Sequence, residues 1–453
     1  MMGIDLSHGQ YGSPARRYRL QRRCQNRPVA TLAGADLNVG NTVTPNSQFP
    51  AQANPLAQDG AVVMLNAGSS SLKFEVFDLG PGGLQCFLRG QIDGIGHQAH
   101  FRAKDGAGLA LHDASFSGDA ITTQHAALVW LLAWLRAHMV GKPVVAVGHR
   151  VVHGGTQFLQ PVRVDAGVLR QLEALVPLAP LHQPHNLAPI RSLLAERPEL
   201  PQVACFDTAF HQSQPPEAQM FALPWRFHED GVRRYGFHGL SYEYIARTAR
   251  NQVPALAAGR TVVAHLGNGV SLCALLDGRS LATTMGFTAL DGCPMGTRCG
   301  SLDAGVVIHL ARAYGMSMDA IESMLYLESG LLGLSGVSSD MQELLDSSAP
   351  GARRAVDYFV YQLAREVASM AAAIGGMDAL VFTAGIGENS APIRLAVCAR
   401  LAWMGVHLDA QANAAGAARI SSASSPVSVW RIATNEERMM AEHTCEVLGL
   451  RQA

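Results

Sequence analysis

The amino-acid sequence predicts an α/β protein of two lobes, each built on the same unit, with a cleft between them. A run of three strands joined by tight turns, followed by alternating helices and strands, occurs twice along the chain. A glycine-containing turn, NAGSSS from Asn66 and LGNGVS from Leu266, falls at the equivalent place in each run. The length of 453 residues is too great for one small core and agrees with two domains. A duplicated unit whose ligand turns face each other implies an interlobe cleft, the build of a hinge-closing enzyme.

In the first half the strands AVVMLNAG, SLKFEVFD and LQCFLRGQI lead to a helix through 121–140, the strand PVVAVGHRVV, a helix near 186–196 and the strand QVACFD. In the second half RTVVAHLGNG, VSLCALLDG and RSLATTMG lead to helices through 303–314 and 354–374. The strand DALVFTAG, a helix near 390–402 and the strand VSVWRIA follow.

Apolar residues make up 48% of the chain and charged ones 16%, a balance suited to broad buried surfaces. The formal net charge of −1 offers no general attraction to nucleic acid or to anionic membranes. The longest apolar stretch, AALVWLLAWL from Ala126, is cut off by Arg136 and His138; it is too short to span a bilayer and reads as a core helix. The eight cysteines lie far apart, with no C-x-x-C pair, and read as reduced thiols of a cytoplasmic protein. Residues 1–60 stand apart: six arginines against three aspartates give +3 and leave −4 for the remainder. Polar and without an apolar period, this segment is no secretory signal; it reads as a disordered tail or an upstream start, with a faint likeness to an organellar transit peptide.

The motifs each allow a bland and a chemical reading. The serine turn ending in Lys73 is either an ordinary turn or a cradle of amides, hydroxyls and an ammonium for phosphate oxygens. GHRVVHGG places Arg150 at a strand end, where an arginine is either an ion-pair partner or an anion site. In APLHQPHN, His182 and His185 are three apart, but Pro184 between them argues against a regular helix and for loop hydrogen bonding rather than metal binding. FDTAFH carries Asp207 at a strand end and His211 beyond it, YGFHG sets His238 between glycines, and MGTRCG carries Arg298 in a glycine-rich loop. Two arginines and a histidine make a clamp for an anionic group in flight. FTAGIGENS reads as a glycine turn opening a helix near Ser390, either a simple helix entry or a phosphate or nucleoside site. Glu436 and Glu437 in TNEE either complement a helix dipole or offer a magnesium ligand.

Together these stretches resemble the acetokinase family, within the acetate and sugar kinase, Hsp70 and actin superfamily. The likeness runs from about residue 62 to the end through NAGSSSLKF, GHRVVHGG, FDTAFH, RYGFHGLS, HLGNG, MGTR, FTAGIGENS and TNEE, in the family's order. It implies a duplicated ribonuclease H-like fold of the actin/Hsp70 ATPase type. The first lobe would span 61–207, completed by the C-terminal helix at 437–453, and the nucleotide lobe 208–436. It also implies ATP-dependent phosphorylation of acetate in a homodimer, with ATP or ADP as substrate and Mg2+ (or Mn2+ in its place) as cofactor. By the same resemblance Asn66, Ser70 and Lys73 lie near the phosphates and metal, with Asn66 and Glu436 as metal ligands. Arg150 and Arg298 are the cleft arginines, His238 the transition-state histidine and Asp207 the cleft aspartate. Val152, Leu181 and Phe237 line the acyl pocket. The nucleotide is met by His265, Gly267, Asn268 and Gly269, by Asp340, Met341 and Gln342, and by Gly385, Ile386, Gly387 and Asn389.

A carboxylic acid is already ionised at neutral pH, so this chemistry needs no general base, whereas a sugar kinase would need an aspartate; the residues alone leave Asp207 open to either role. Two departures from the family stand out. Ala289 replaces a common proline beside the acyl pocket, a smaller wall open to propionate, and Gln342 replaces a frequent arginine near the nucleotide. The rival readings are a propionate or butyrate kinase and, from another class, a non-catalytic nucleotide-binding regulator.

Overall fold

The computed structural model describes residues 60–450, apart from 81–82, 117–119 and 140. The expectation of a disordered segment at 1–60 lies outside the described residues but for Gly60.

The first sheet has eight strands: β1 (Ala61–Ala67), β2 (Ser71–Gly80), β3 (Gly83–Asp93), β4 (His100–Asp105), β5 (Ala110–Ser115), β6 (Val144–Val151), β7 (Val162–Arg163) and β8 (Gln202–Phe206). The second has five: β9 (Arg260–Leu266), β10 (Val270–Leu276), β11 (Arg279–Thr283), β12 (Ala379–Thr383) and β13 (Ser428–Arg431). The helices that matter here are α1 (Gln124–His138), α2 (Gln183–Glu196), α3 (Gly239–Gln252), α4 (Ala304–Ala313) and α5 (Met318–Leu327). After them come α6 (Met341–Asp346), α7 (Pro350–Ala373), α8 (Ala384–Asn389), α9 (Ala391–Arg400) and α10 (Glu436–Leu448).

The orders β3-β2-β1-β6-β8 and β11-β10-β9-β12-β13 match: an antiparallel meander whose first strand pairs in parallel with the later strands. This is the two-sheet, duplicated α/β fold of the actin and Hsp70 ATPases. The first sheet adds β4 and β5, which sequence reading passed over. Along β4 only Phe101 and Ala103 are buried, and β5 is almost wholly exposed, so neither carries a continuous apolar run.

β1 is apolar throughout because both its faces are covered. Val63 and Leu65 join a cluster with Leu128 and Leu131 of α1, while Val62 and Met64 pack on Met439, Met440 and Cys445 of α10. The C-terminal helix therefore returns to the first sheet. Gly148 permits that approach: a Cβ there would lie 2.5 Å from Thr444 Oγ1 and 2.6 Å from Met64 Sδ. In the second half α7 lays Phe359, Leu363 and Val367 on Val262, Leu272 and Phe382. Among the described residues no helix is long and apolar enough to cross a membrane.

Two helix readings need correction. Pro184 does not prevent a helix; it sits in the first turn of α2, where a missing N–H is tolerated, with His182 at the N-cap and His185 helical. FTAGIGENS is itself helical from Ala384, well before Ser390. The left-handed residue at its entry is Ala384, with φ of 63°, rather than a glycine.

Candidate active site

The hairpin turn between β1 and β2 closes with Gly68 N–H donating to the Ser71 carbonyl, and Gln124 of α1 donates to the carbonyls of Gly68 and Ser71. Asn186 of α2 ties the neighbouring strand ends together. Its amide donates to the Ala67 carbonyl at 2.6 Å, and its Oδ1 accepts from Val152 N–H at 2.9 Å. Asn66 and Arg150 are thereby held side by side at the C-terminal ends of two parallel strands, where α/β sheets bind ligands.

Arg150 grips Asp207 with two bonds, Nε to Oδ1 at 2.9 Å and Nη2 to Oδ2 at 2.6 Å, and reaches Asn66 Oδ1 at 3.4 Å. Glu436 Oε2 lies 3.9 Å from Arg150 Nε. Burial works against the guanidinium charge, but Asp207 and Glu436 outweigh it and hold Arg150 protonated. Burial also pushes the Glu436 carboxyl up to about 7; Arg150 draws it down, while Asp207 and Glu437 add to the rise. With both oxygens held by a guanidinium, Asp207 is badly placed to take a proton from a hydroxyl.

His238 is the N-cap of α3, with φ of 57°, and its ring stacks on His265 at 4.2 Å between centroids. Burial, then His265, Arg150 and Arg298, keep His238 well below the ordinary histidine range. His265 is lowered to about 3 by burial and by Arg150. Arg298 donates from Nη1 to the Ala289 carbonyl at 2.7 Å. A Cβ on Gly269 would lie 2.9 Å from His238 Nε2 and 3.0 Å from Arg298 Nη2, so these groups crowd the same loop.

Val152, Leu181 and Phe237 line one narrow pocket with His182, Ala289 and Tyr326; its free space is about 10 Å³, room for one small group. A second cavity of about 370 Å³ is lined by Gly267, Asn268, Asp340, Met341, Gln342, Gly385, Ile386 and Asn389. Gly269 and Gly387 do not line it, nor do His265, Ser70 and Lys73. Ser70 and Lys73 stay exposed on the first lobe's hairpin. The Asp340 carboxylate caps α6 by accepting from Gln342 and Glu343 N–H, and Gln342 Nε2 donates to both oxygens of Asp346.

A family model of the acetokinase family matches residues 61–442. The chain belongs to the acetokinase family. Its similarity to the acetate kinase of Nitrobacter hamburgensis is 51% identity over 389 residues, covering 86% of this chain and 96% of that one. The propionate kinase of Francisella tularensis superposes with a TM-score of 0.79 at 36% identity, over 85% of this chain and 98% of that one. The acetate kinase of Porphyromonas gingivalis gives 0.77 at 35%, over 86% and 100%.

Sequence reading missed several groups of this acetokinase site. His182, read as a loop hydrogen bonder, faces the narrow pocket, and burial with Arg298 and Arg150 lowers it to about 4. Tyr326 completes the pocket wall from a stretch with no motif. Glu388 Oε1 accepts from the N–H groups of Ala384 and Thr434, joining the ends of two strands. Arg394, 2% exposed, donates to the carbonyls of Gly387 and Glu388 and supports α8 from behind. The one local signal for Glu388 and Arg394 was their closeness to the glycine motif.

Proposed function

We infer that the protein is an acetate kinase, catalysing reversible transfer of the ATP γ-phosphoryl group to acetate. One observation carries this reading: a pocket with room for a single small group is walled by Val152 and Phe237, close in the chain to Arg150 and His238, and by Ala289, whose carbonyl accepts from Arg298. An acetate oxygen attacks the γ-phosphorus in line, the bond to the β-phosphate bridging oxygen breaks, and ADP leaves. No proton moves, because acetate is already ionised. Catalysis then rests on alignment, on charge neutralisation by Arg150 and Arg298, and on a hydrogen bond from His238. The bidentate grip of Arg150 on Asp207 favours this acceptor over a sugar hydroxyl, which would need that carboxylate free.

The oxygen donors of Asn66 and Glu436 beside Arg150 suit a hard divalent cation, which would offset the burial that works against the Glu436 carboxylate charge. Asn66 and Glu436 would hold Mg2+ or Mn2+, which when bound neutralises charge on the transferring phosphate oxygens. The cavity of Asn268, Gln342 and Gly385 suits the nucleotide. Cys86, Cys205, Cys273, Cys293, Cys299 and Cys398 are free thiols, which supports a reducing cytoplasm. A homodimer is supported by α4, which buries no side chain, and by the exposed Val306, Ile308, Tyr314 and Met318 on and beside it.

A hydroxamate assay with acetate, propionate and butyrate plus MgATP tests the assignment. The size of the pocket predicts the highest kcat/KM for acetate, then propionate, with butyrate weakest. Ala289 forms part of the wall, so a propionate optimum would move the assignment to propionate kinase. No product with any of the three acids would refute the kinase reading.

A further inference from the structure

We propose that Tyr242 and Ser271 set the tautomer of His238, so that a neutral imidazole presents Nε2–H to the phosphoryl group in flight. This rests on the reading of His238 given above and adds two positioning residues to it. Tyr242 is fully buried, and its hydroxyl lies 2.5 Å from Ser271 Oγ, with no other hydrogen-bond partner among the described residues. A buried phenol must give its one proton to something, and Ser271 Oγ is the acceptor at hand. Burial also keeps the Tyr242 phenol protonated, since it raises the group well above its usual range. Ser271, itself fully buried, then directs its own proton to its other partner, His238 Nδ1, at 2.8 Å. Nδ1 is therefore an acceptor, and the single proton of the neutral ring resides on Nε2. The reverse chain, with Nδ1–H donating to Ser271 and Ser271 to Tyr242, would strand the phenol proton in a dry interior.

The position of Nε2 gives the tautomer its purpose. It faces the backbone of Gly269 on the β9–β10 loop alongside Arg298 Nη2. There the imidazole acts as a hydrogen-bond donor that needs no ionisation, beside two arginines that would oppose a third cation. With the opposite tautomer a lone pair would point at the anionic group and repel it. Tyr242 lies on α3 and Ser271 on β10, so the relay joins the strained N-cap of the helix to the loop that His238 serves.

The test reads the tautomer directly in the resting holoenzyme. Two-bond 15N–1H correlation spectra of protein labelled at histidine should show His238, assigned by loss of its signals in His238→Ala, in the Nε2–H form. Tyr242→Phe keeps the ring volume and removes only the terminal donor, so His238 should become a tautomer mixture. In that variant kcat should fall about tenfold with both KM values unchanged, the size of one lost hydrogen bond. Ser271→Ala, a second break in the same chain, should give the same spectral change. An Nδ1–H form in the wild type, or an unaltered His238 spectrum in Tyr242→Phe, would overturn the proposal whatever the kinetics. Full turnover in His238→Ala would instead overturn the catalytic reading of His238 and leave the tautomer assignment standing.

Discussion

Glu75 lies on β2 with 6% exposure; its Oε1 meets the Cys86 thiol, which donates at 3.5 Å, and its Oε2 has no hydrogen-bond partner among the described residues. Burial, then the Glu437 carboxylate, push it from 4.5 up to about 7, against the pull of Cys86 and Arg89. The folded chain thus keeps a proton on Glu75 that the unfolded chain has released, so stability is full below about pH 4.5 and is lost as pH rises to about 7. Glu75→Gln stays neutral at every pH. Melting curves at pH 5 and pH 8 should show the variant near wild type at the lower pH and more stable at the higher by about 2 kcal/mol. A constant offset between the two proteins would contradict this reading of Glu75. At Gln342, Asp346 accepts from the glutamine amide, and an arginine there would be drawn to that carboxylate.

The β9–β10 loop and α8 show how short elements position the site. Gly269 carries no positive φ, so alanine there meets no backbone strain. Its methyl would nonetheless lie 2.9 Å from His238 Nε2, closer than real Cβ contacts allow, and 3.0 Å from Arg298 Nη2, a tight contact. Gly269→Ala should therefore fold with an unchanged Tm yet lose on the order of a hundredfold in kcat, by displacing transition-state contacts. Turnover within twofold of wild type would show that the loop has slack. Local sequence left α8 ambiguous because glycines read as a turn. Its helix is held from outside, by Arg394 beneath its carbonyls and Glu388 bridging to Thr434.

For the whole molecule, α4 and α5 present an exposed apolar face among the described residues. Ile308 is 51% exposed and Tyr314 72%, on a helix pair whose buried side chains reduce to Ile321. Light scattering after size exclusion should report a dimer for the wild type, and Val306→Glu with Ile308→Glu should give monomers. A monomeric wild type at micromolar concentration would reject the homodimer, and a dimeric double variant would move the interface elsewhere.

The sequence by itself determined the duplication, the apolar central strands, the glycine turns that follow them and the chemical types at the site. These are local properties: strand periodicity and turn chemistry are written in neighbouring residues. Even the family likeness rests on contiguous stretches such as GHRVVHGG and FTAGIGENS. Tertiary structure alone decided which polar groups meet. Asn186 binds Ala67, Arg150 binds Asp207, Tyr242 binds Ser271 and Thr434 binds Glu388, partners far apart in the chain. It also decided that β4 and β5 extend the first sheet, since their pairing comes from neighbouring backbone rather than apolar pattern. Hydrogen bonds are directional and short, so a partner's identity depends on where the packed strands bring it, and no spacing along the chain encodes that.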